Sequence, residues 1–170
     1  MGRLVIERGQ ESDGETLLAI YEGVLGEGRW FVSAPEEFLH TPETYGRHIA
    51  WMNGQDNSVY LVGRVQRAVV GAVYISGGTL RRLRHTGRLE IFLDPRFRGG
   101  GVGRAMMMAA VAWAEENPRL KKLSLNVYDD NARAIALYRS LGFMDEGHRK
   151  GEYREQDGTL RGDLLMSRPV

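Results

Sequence analysis

The run Arg98-Gly99-Gly100-Gly101-Val102-Gly103 stands between a strand-like segment and a helix, and no other stretch narrows the fold as much. The apolar residues Leu89-Glu90-Ile91-Phe92-Leu93 end at Asp94-Pro95, where the chain must leave a regular strand. After the glycines, Ala105 to Glu116 is an Ala/Met-rich stretch of strong helix formers. Glycines at such a junction let successive backbone N–H groups converge on one point without Cβ obstruction. The free N–H groups and positive end of the helix then favour an anion such as phosphate. The loop is not a nucleotide-triphosphate loop, because Arg104 and Ala105 stand where Lys and Ser/Thr are needed. It also does not open the first strand–helix unit, as a dinucleotide fingerprint does. Glycine-rich helix starts without any ligand are common, so the loop alone leaves both readings open.

The 170 residues are read as one domain, long enough to bury a core without staples. Acidic and basic residues interleave to a net charge of +1, which gives no global field for nucleic acid or membrane. Cysteine is absent, which excludes disulfides, thiolate metal sites and a cysteine nucleophile, and fits a cytoplasmic location. His40, His48, His85 and His148 show no ligand pairing at helical or strand spacing, so no metal is expected. No apolar run approaches the ~20 residues that span a bilayer. No signal peptide is expected either, since the chain runs straight into Leu4-Val5-Ile6-Glu7.

Leu4 to Glu7 reads as a first strand, and Ser12-Asp13 offers an N-cap to a helix carrying Leu17, Leu18, Tyr21, Val24 and Leu25 on one face. Arg29 to Pro35 reads as loop and Thr41 to Met52 as a second helix. Val59 to Val65 and Ala68 to Ile75 are expected to pair about a turn at Gln66-Arg67. A polar link carrying Arg81, Arg82 and Arg84 precedes the strand that feeds the glycine loop; with Arg88 it reads first as solvated surface, and a contact to a substrate carboxylate or a ligand phosphate is the other reading. Lys122 to Val127 reads as a strand and Asn131 to Ser140 as a helix closed by Gly142. Strands from Phe143 to Arg154 and from Arg161 to Ser167 follow, joined by a turn at Gln156-Asp157-Gly158-Thr159. The order β-α-α-β-β-β-α-β-α-β-β describes a mixed α/β (α+β) domain.

Arg98, Gly101 and Gly103 match the Arg/Gln-x-x-Gly-x-Gly/Ala loop of the GCN5-related N-acetyltransferase (GNAT) superfamily, which the chain resembles. The second half of the likeness lies one strand and one helix on: Asn131-Ala132-Arg133-Ala134-Ile135-Ala136-Leu137-Tyr138, then Leu141-Gly142-Phe143. Motif-level similarity covers Leu89 to Phe143, and the element order extends it over residues 1–170 as a single N-acetyltransferase domain. The resemblance implies a mostly antiparallel sheet of about seven strands, flanked by four helices and splayed where acetyl-CoA binds. It implies an acetyl-CoA-dependent acyltransferase acting by direct attack in a ternary complex, with acetyl-CoA as co-substrate and no metal.

The same resemblance distributes the roles. Arg98, Gly99, Gly100, Gly101, Val102, Gly103 and Arg104 are expected to hold the pyrophosphate, mostly by main-chain N–H. The backbones of Ile91, Phe92 and Leu93 are expected to bind the pantetheine arm, and Asn131 to bond it as well as cap its helix. Tyr138 matches the tyrosine that protonates the departing thiolate. Glu90 is the expected base that frees the attacking amine of its proton; its plainer reading is a strand glutamate paired with Arg88. Glu27, Arg29, Trp30 and Phe31, with the hairpin from Tyr153 to Asp163, are expected around the acceptor. The chain looks most similar to bacterial members that acetylate amino acids or small amines, and it also resembles ribosomal-protein N-terminal acetyltransferases, which share its tail hairpin. A protein N-terminus or lysine as acceptor, and a non-catalytic CoA-binding module, are the alternatives. No nucleic-acid or membrane partner is expected, and a homodimer through the tail strands is an arrangement the resemblance allows.

Overall fold

The structure is a computed structural model that describes residues 2–170. Seven strands and four α-helices follow in the expected order: β1 (Leu4–Arg8), α1 (Gly14–Leu25), α2 (Pro42–Asn53), β2 (Val59–Val65), β3 (Ala68–Gly77), β4 (Thr86–Leu93), α3 (Val102–Glu116), β5 (Lys122–Tyr128), α4 (Ala132–Ser140), β6 (Met144–Arg154) and β7 (Leu160–Pro169). The strands form one sheet in the order β1-β2-β3-β4-β5-β7-β6. Every neighbouring pair is antiparallel except β4 with β5.

That parallel pair is short. Thr86, Gly87 and Arg88 pair with Lys122, Leu123 and Ser124, and beyond them the two strands diverge. Leu89–Leu93 therefore pairs only with β3, and Leu125–Tyr128 only with β7. The sheet is open in its middle, with unpaired main-chain groups on both lips of the gap.

The two faces carry separate apolar cores. On one side, α3 lays Met106, Met107, Ala110 and Ala114 against Val59, Val73, Ile75 and Leu89, while Ile135 of α4 joins the same cluster. Met106 is fully buried, and truncation to Ala there costs about 2–5 kcal/mol. On the other side, α1 and α2 cover Tyr60, Val62, Ala72 and Phe92. The two helices meet at Gly14 and Gly46, where a Cβ on Gly14 would lie 2.5 Å from the Pro42 carbonyl and 2.6 Å from the Gly46 nitrogen.

Local chemistry accounts for most element ends. Thr41 caps α2 by accepting from the Thr44 amide at 3.2 Å, with Pro42 in the first turn. Gln66 and Arg67 both take positive φ, the backbone a two-residue hairpin between twisted strands requires. Gly142, at φ +85°, closes α4, and the Phe143 amide donates to the Tyr138 carbonyl at 3.1 Å. Asp13 departs from the expected cap. It precedes α1, but its buried carboxylate accepts from the Gln10 amide at 2.9 Å and from Arg64 at 2.6 Å. Among the described residues no helix is long and apolar enough to cross a membrane.

Candidate active site

Strand alternation sorts the residues of β4 to the two sides of the sheet. Leu89, Ile91 and Leu93 pack into the α3 core, whereas Phe92 packs into the α1/α2 core. Glu90 and Arg88 share the face of Phe92 by their even spacing. Across the gap, Tyr138 of α4 packs on the α3 side. A cavity of about 320 Å³ passes between, lined by Glu90 and Arg88 of β4, Asn126 and Tyr128 of β5, and Tyr138. Trp30, Phe31, Val32 and Ser33 of the α1–α2 loop also line it, as do Tyr153 and Asp163 from the β6–β7 hairpin. Glu90 and Tyr138 thus address one space from opposite faces of the sheet.

Glu90 is held by its neighbours. Its Oε2 accepts from the Tyr74 hydroxyl at 2.8 Å, and its Oε1 lies 3.6 Å from Nε of Arg88. The Tyr74 ring stacks on Tyr60 with centroids 5.0 Å apart, and Tyr60 shares a 2.8 Å hydroxyl hydrogen bond with Tyr45. Burial first and Glu90 second raise the Tyr74 phenol well above the ordinary tyrosine value, so it remains a donor at neutral pH. The same two causes push Tyr138 up to about 12.

The glycine loop fits a diphosphate. Gly99 and Gly101 take φ of +90° and +82°, and among the described residues nothing lies within 4 Å of a Cβ built on Gly101, the residue before α3. The first helical main-chain bond is Ala105 N–H to the Gly101 carbonyl. Among the described residues, the amides from Gly99 to Arg104 find no main-chain acceptor and form a run of donors at the positive end of a 15-residue helix. Arg104 reaches α4 through Ser140 at 2.8 Å, which fixes that helix against the loop. Asn131 caps α4 by accepting from the Ala134 amide at 3.2 Å, and it also lines the cavity.

Four sequence-based expectations are placed differently. The Arg98 amide, expected among the diphosphate donors, is taken by the Pro95 carbonyl at 3.2 Å. The Asp94 amide bonds the Val70 carbonyl on β3, so alternation turns the main chain of Phe92 to β3 as well. Only Ile91 and Leu93 point main-chain groups at the gap, and the Leu93 carbonyl accepts from the Arg98 guanidinium at 3.1 Å. Glu27 does not line the cavity, since its carboxylate is paired with Arg98 at 2.8 Å. Arg29 also stays outside, its guanidinium 4.6 Å from the Trp30 ring centroid.

The hairpin expected around the acceptor ends on a buried group whose partners are set by strand register. Asp163 is 1% exposed and takes hydrogen bonds from Asn126 at 2.8 Å, Arg149 at 2.6 Å and Tyr153 at 3.0 Å. The Arg149 contact offsets the cost of burying this carboxylate and, with those hydrogen bonds, holds it below the usual range.

A diphosphate-ready loop, a gap in a mostly antiparallel sheet and two titratable side chains facing that gap define an acyl-CoA-dependent acyltransferase. The acetyltransferase (GNAT) family model matches residues 27–143, and the chain belongs to that family of acetyl-CoA-dependent N-acetyltransferases. It is 27% identical over 126 residues to the spermidine N(1)-acetyltransferase of Vibrio cholerae, covering 73% of this chain and 69% of that one. It is 32% identical over 108 residues to the L-amino acid N-acetyltransferase AaaT of Escherichia coli, covering 64% of this chain and 66% of that one. The crystal structure of a GNAT-family acetyltransferase from Streptococcus pneumoniae superposes with a TM-score of 0.94 at 26% identity, covering 99% of this chain and all of the other.

Proposed function

We propose that this protein transfers the acetyl group of acetyl-CoA to the primary amine of a small molecule, by direct attack within a ternary complex. The observation that carries the reading is the convergence of Glu90 and Tyr138 on one cavity from opposite faces of the sheet. An amine entering from the α1/α2 side meets Glu90. A thioester lying in the gap presents its sulfur to Tyr138.

Each residue then has a defined task. The amides from Gly99 to Arg104 hold the diphosphate of the co-substrate. The main-chain groups of Ile91 and the Leu93 N–H take up the pantetheine arm as an added strand, and a donor there polarises the thioester carbonyl. Glu90 accepts the proton that the ammonium must lose before its lone pair can attack. As the C–N bond forms and the C–S bond breaks, the nitrogen gives up its second proton to solvent, and the sulfur departs as a thiolate to which Tyr138 donates a hydrogen bond before the released thiolate takes a proton from solvent. With its phenol near 12 against a thiol near 8.5, stabilisation of the thiolate by that bond is favoured over complete transfer of the proton. A cavity of about 320 Å³ with Trp30–Ser33 in its wall matches the size of a small acceptor.

Calorimetric titration with acetyl-CoA, with dephospho-CoA as comparison, tests the cofactor half of the reading. Micromolar binding of acetyl-CoA is expected. Absence of binding would overturn the enzyme reading and leave the loop an ordinary helix start.

A further inference from the structure

Arg88 is the sole guanidinium or ammonium group among the described residues that line the cavity, and it is not held by the protein. It is 58% exposed in its side chain, and its one ionic partner among the described residues is Glu90, at 3.6 Å. That is beyond hydrogen-bond distance. The arginines that brace the surrounding wall are engaged closely: Arg98 with Glu27 at 2.8 Å, Arg149 with Asp163 at 2.6 Å, Arg161 with Asp130 at 2.7 Å. Asp163 is neutralised by Arg149 and bonded by Asn126 and Tyr153, so it offers no free charge to a ligand. On the acceptor side the cavity therefore presents one available cation and one carboxylate, two residues apart on the same face of β4.

From this arrangement we infer that Arg88 selects the acceptor, and that the acceptor is an α-amino acid rather than a simple amine or a polyamine. The inference rests on the acetyltransferase reading above and names its substrate class. An α-amino acid carries its ammonium and carboxylate on one carbon. Set against β4, its ammonium faces Glu90 while its carboxylate meets Arg88 as a charge-assisted pair. The loose Arg88–Glu90 contact is then replaced by two opposite-charge contacts. A polyamine brings a second cation toward Arg88 and is repelled. The rings of Tyr21, Trp30, Phe31 and Tyr128 leave an apolar wall for the side chain.

The test is thiol release from acetyl-CoA with three acceptors: a pool of α-amino acids, the pool of their decarboxylated amines, and spermidine. It is run on the wild type, Arg88→Gln and Arg88→Lys, with acetyl-CoA affinity measured calorimetrically in each. The wild type is expected to use the amino acids at least about tenfold better than the matched amines, and spermidine least. Arg88→Gln is expected to raise KM for the amino acids about ten- to hundredfold and bring the acid-to-amine ratio near one. Arg88→Lys falls between, and acetyl-CoA affinity holds in both variants, showing that they are folded. A wild type that prefers the amines or spermidine, or a ratio that survives Arg88→Gln, overturns the inference. Silence of every acceptor in a protein that binds acetyl-CoA overturns the acceptor class. Failure to bind acetyl-CoA overturns the underlying reading instead.

Discussion

The Tyr74 hydroxyl on β3 donates a 2.8 Å hydrogen bond to Oε2 of Glu90 on β4, its direct cross-strand partner. Sixteen residues separate the two in sequence, and only the register of an antiparallel pair brings them together. Tyr74 is fixed in turn by its stack on Tyr60, so the carboxylate is oriented from the rigid side of the sheet. Tyr74→Phe removes the donor and little volume. Its kcat is expected to fall about three- to tenfold with acetyl-CoA affinity unchanged, because the carboxylate loses the bond that orients it. An unchanged kcat in Tyr74→Phe would remove Tyr74 from the mechanism.

Tyr138→Phe keeps the ring in the α3-side core and deletes only the hydroxyl. A loss of about a hundredfold in kcat is expected, with acetyl-CoA affinity within about threefold of the wild type. If affinity collapses and kcat at saturation does not, Tyr138 serves binding rather than the departure of the sulfur.

Gly101→Ala separates the cradle from the fold. Among the described residues nothing lies within 4 Å of the added Cβ, but φ is +82°, so the change costs about 1–2 kcal/mol in backbone strain and disturbs the loop that would present its amides to the diphosphate. Acetyl-CoA affinity is expected to fall at least about tenfold in calorimetry while circular dichroism stays that of the wild type.

Alkaline pH attacks the protein through its tyrosines. Burial, as the leading cause, raises the phenols of Tyr21, Tyr45, Tyr60, Tyr74 and Tyr138, Tyr45 to about 12. The unfolded chain releases these protons near pH 10, and the folded chain holds them longer. Above about pH 10 the folded state therefore binds more protons, and stability falls as pH rises, by up to ~1.4 kcal/mol per pH unit for each such group. Thermal melts are expected to give a flat Tm between about pH 7 and 9 and a steep decline above 10. Phenolate absorbance should appear together with unfolding. Phenolate formation well before unfolding would contradict the burial argument.

What the sequence made legible was local. The glycine loop, the Asn131 cap and the Gly142 helix end are written in adjacent residues, and they are found where expected. The element order was legible because the hydrophobic period changes at each boundary. Glu90 was legible by its alternation within an apolar strand. Groups that depend on strand register were not. Tyr74 meets Glu90, Asp163 meets Asn126 and Arg149, and Glu27 meets Arg98 only after the chain has folded. Phe92 shows the limit within a single strand: its position near the gap was legible, but the direction of its main chain follows from the pairing of β4 with β3.

The measurement that tests the central claim most directly is the rate of thiol release from acetyl-CoA with the amino-acid pool, wild type against Glu90→Gln, across pH. If Glu90 takes the proton of the amine, the variant keeps acetyl-CoA affinity, loses at least about a hundredfold in kcat, and recovers rate only as rising pH frees the amine by itself. A Glu90→Gln variant with wild-type rate and profile would contradict the account.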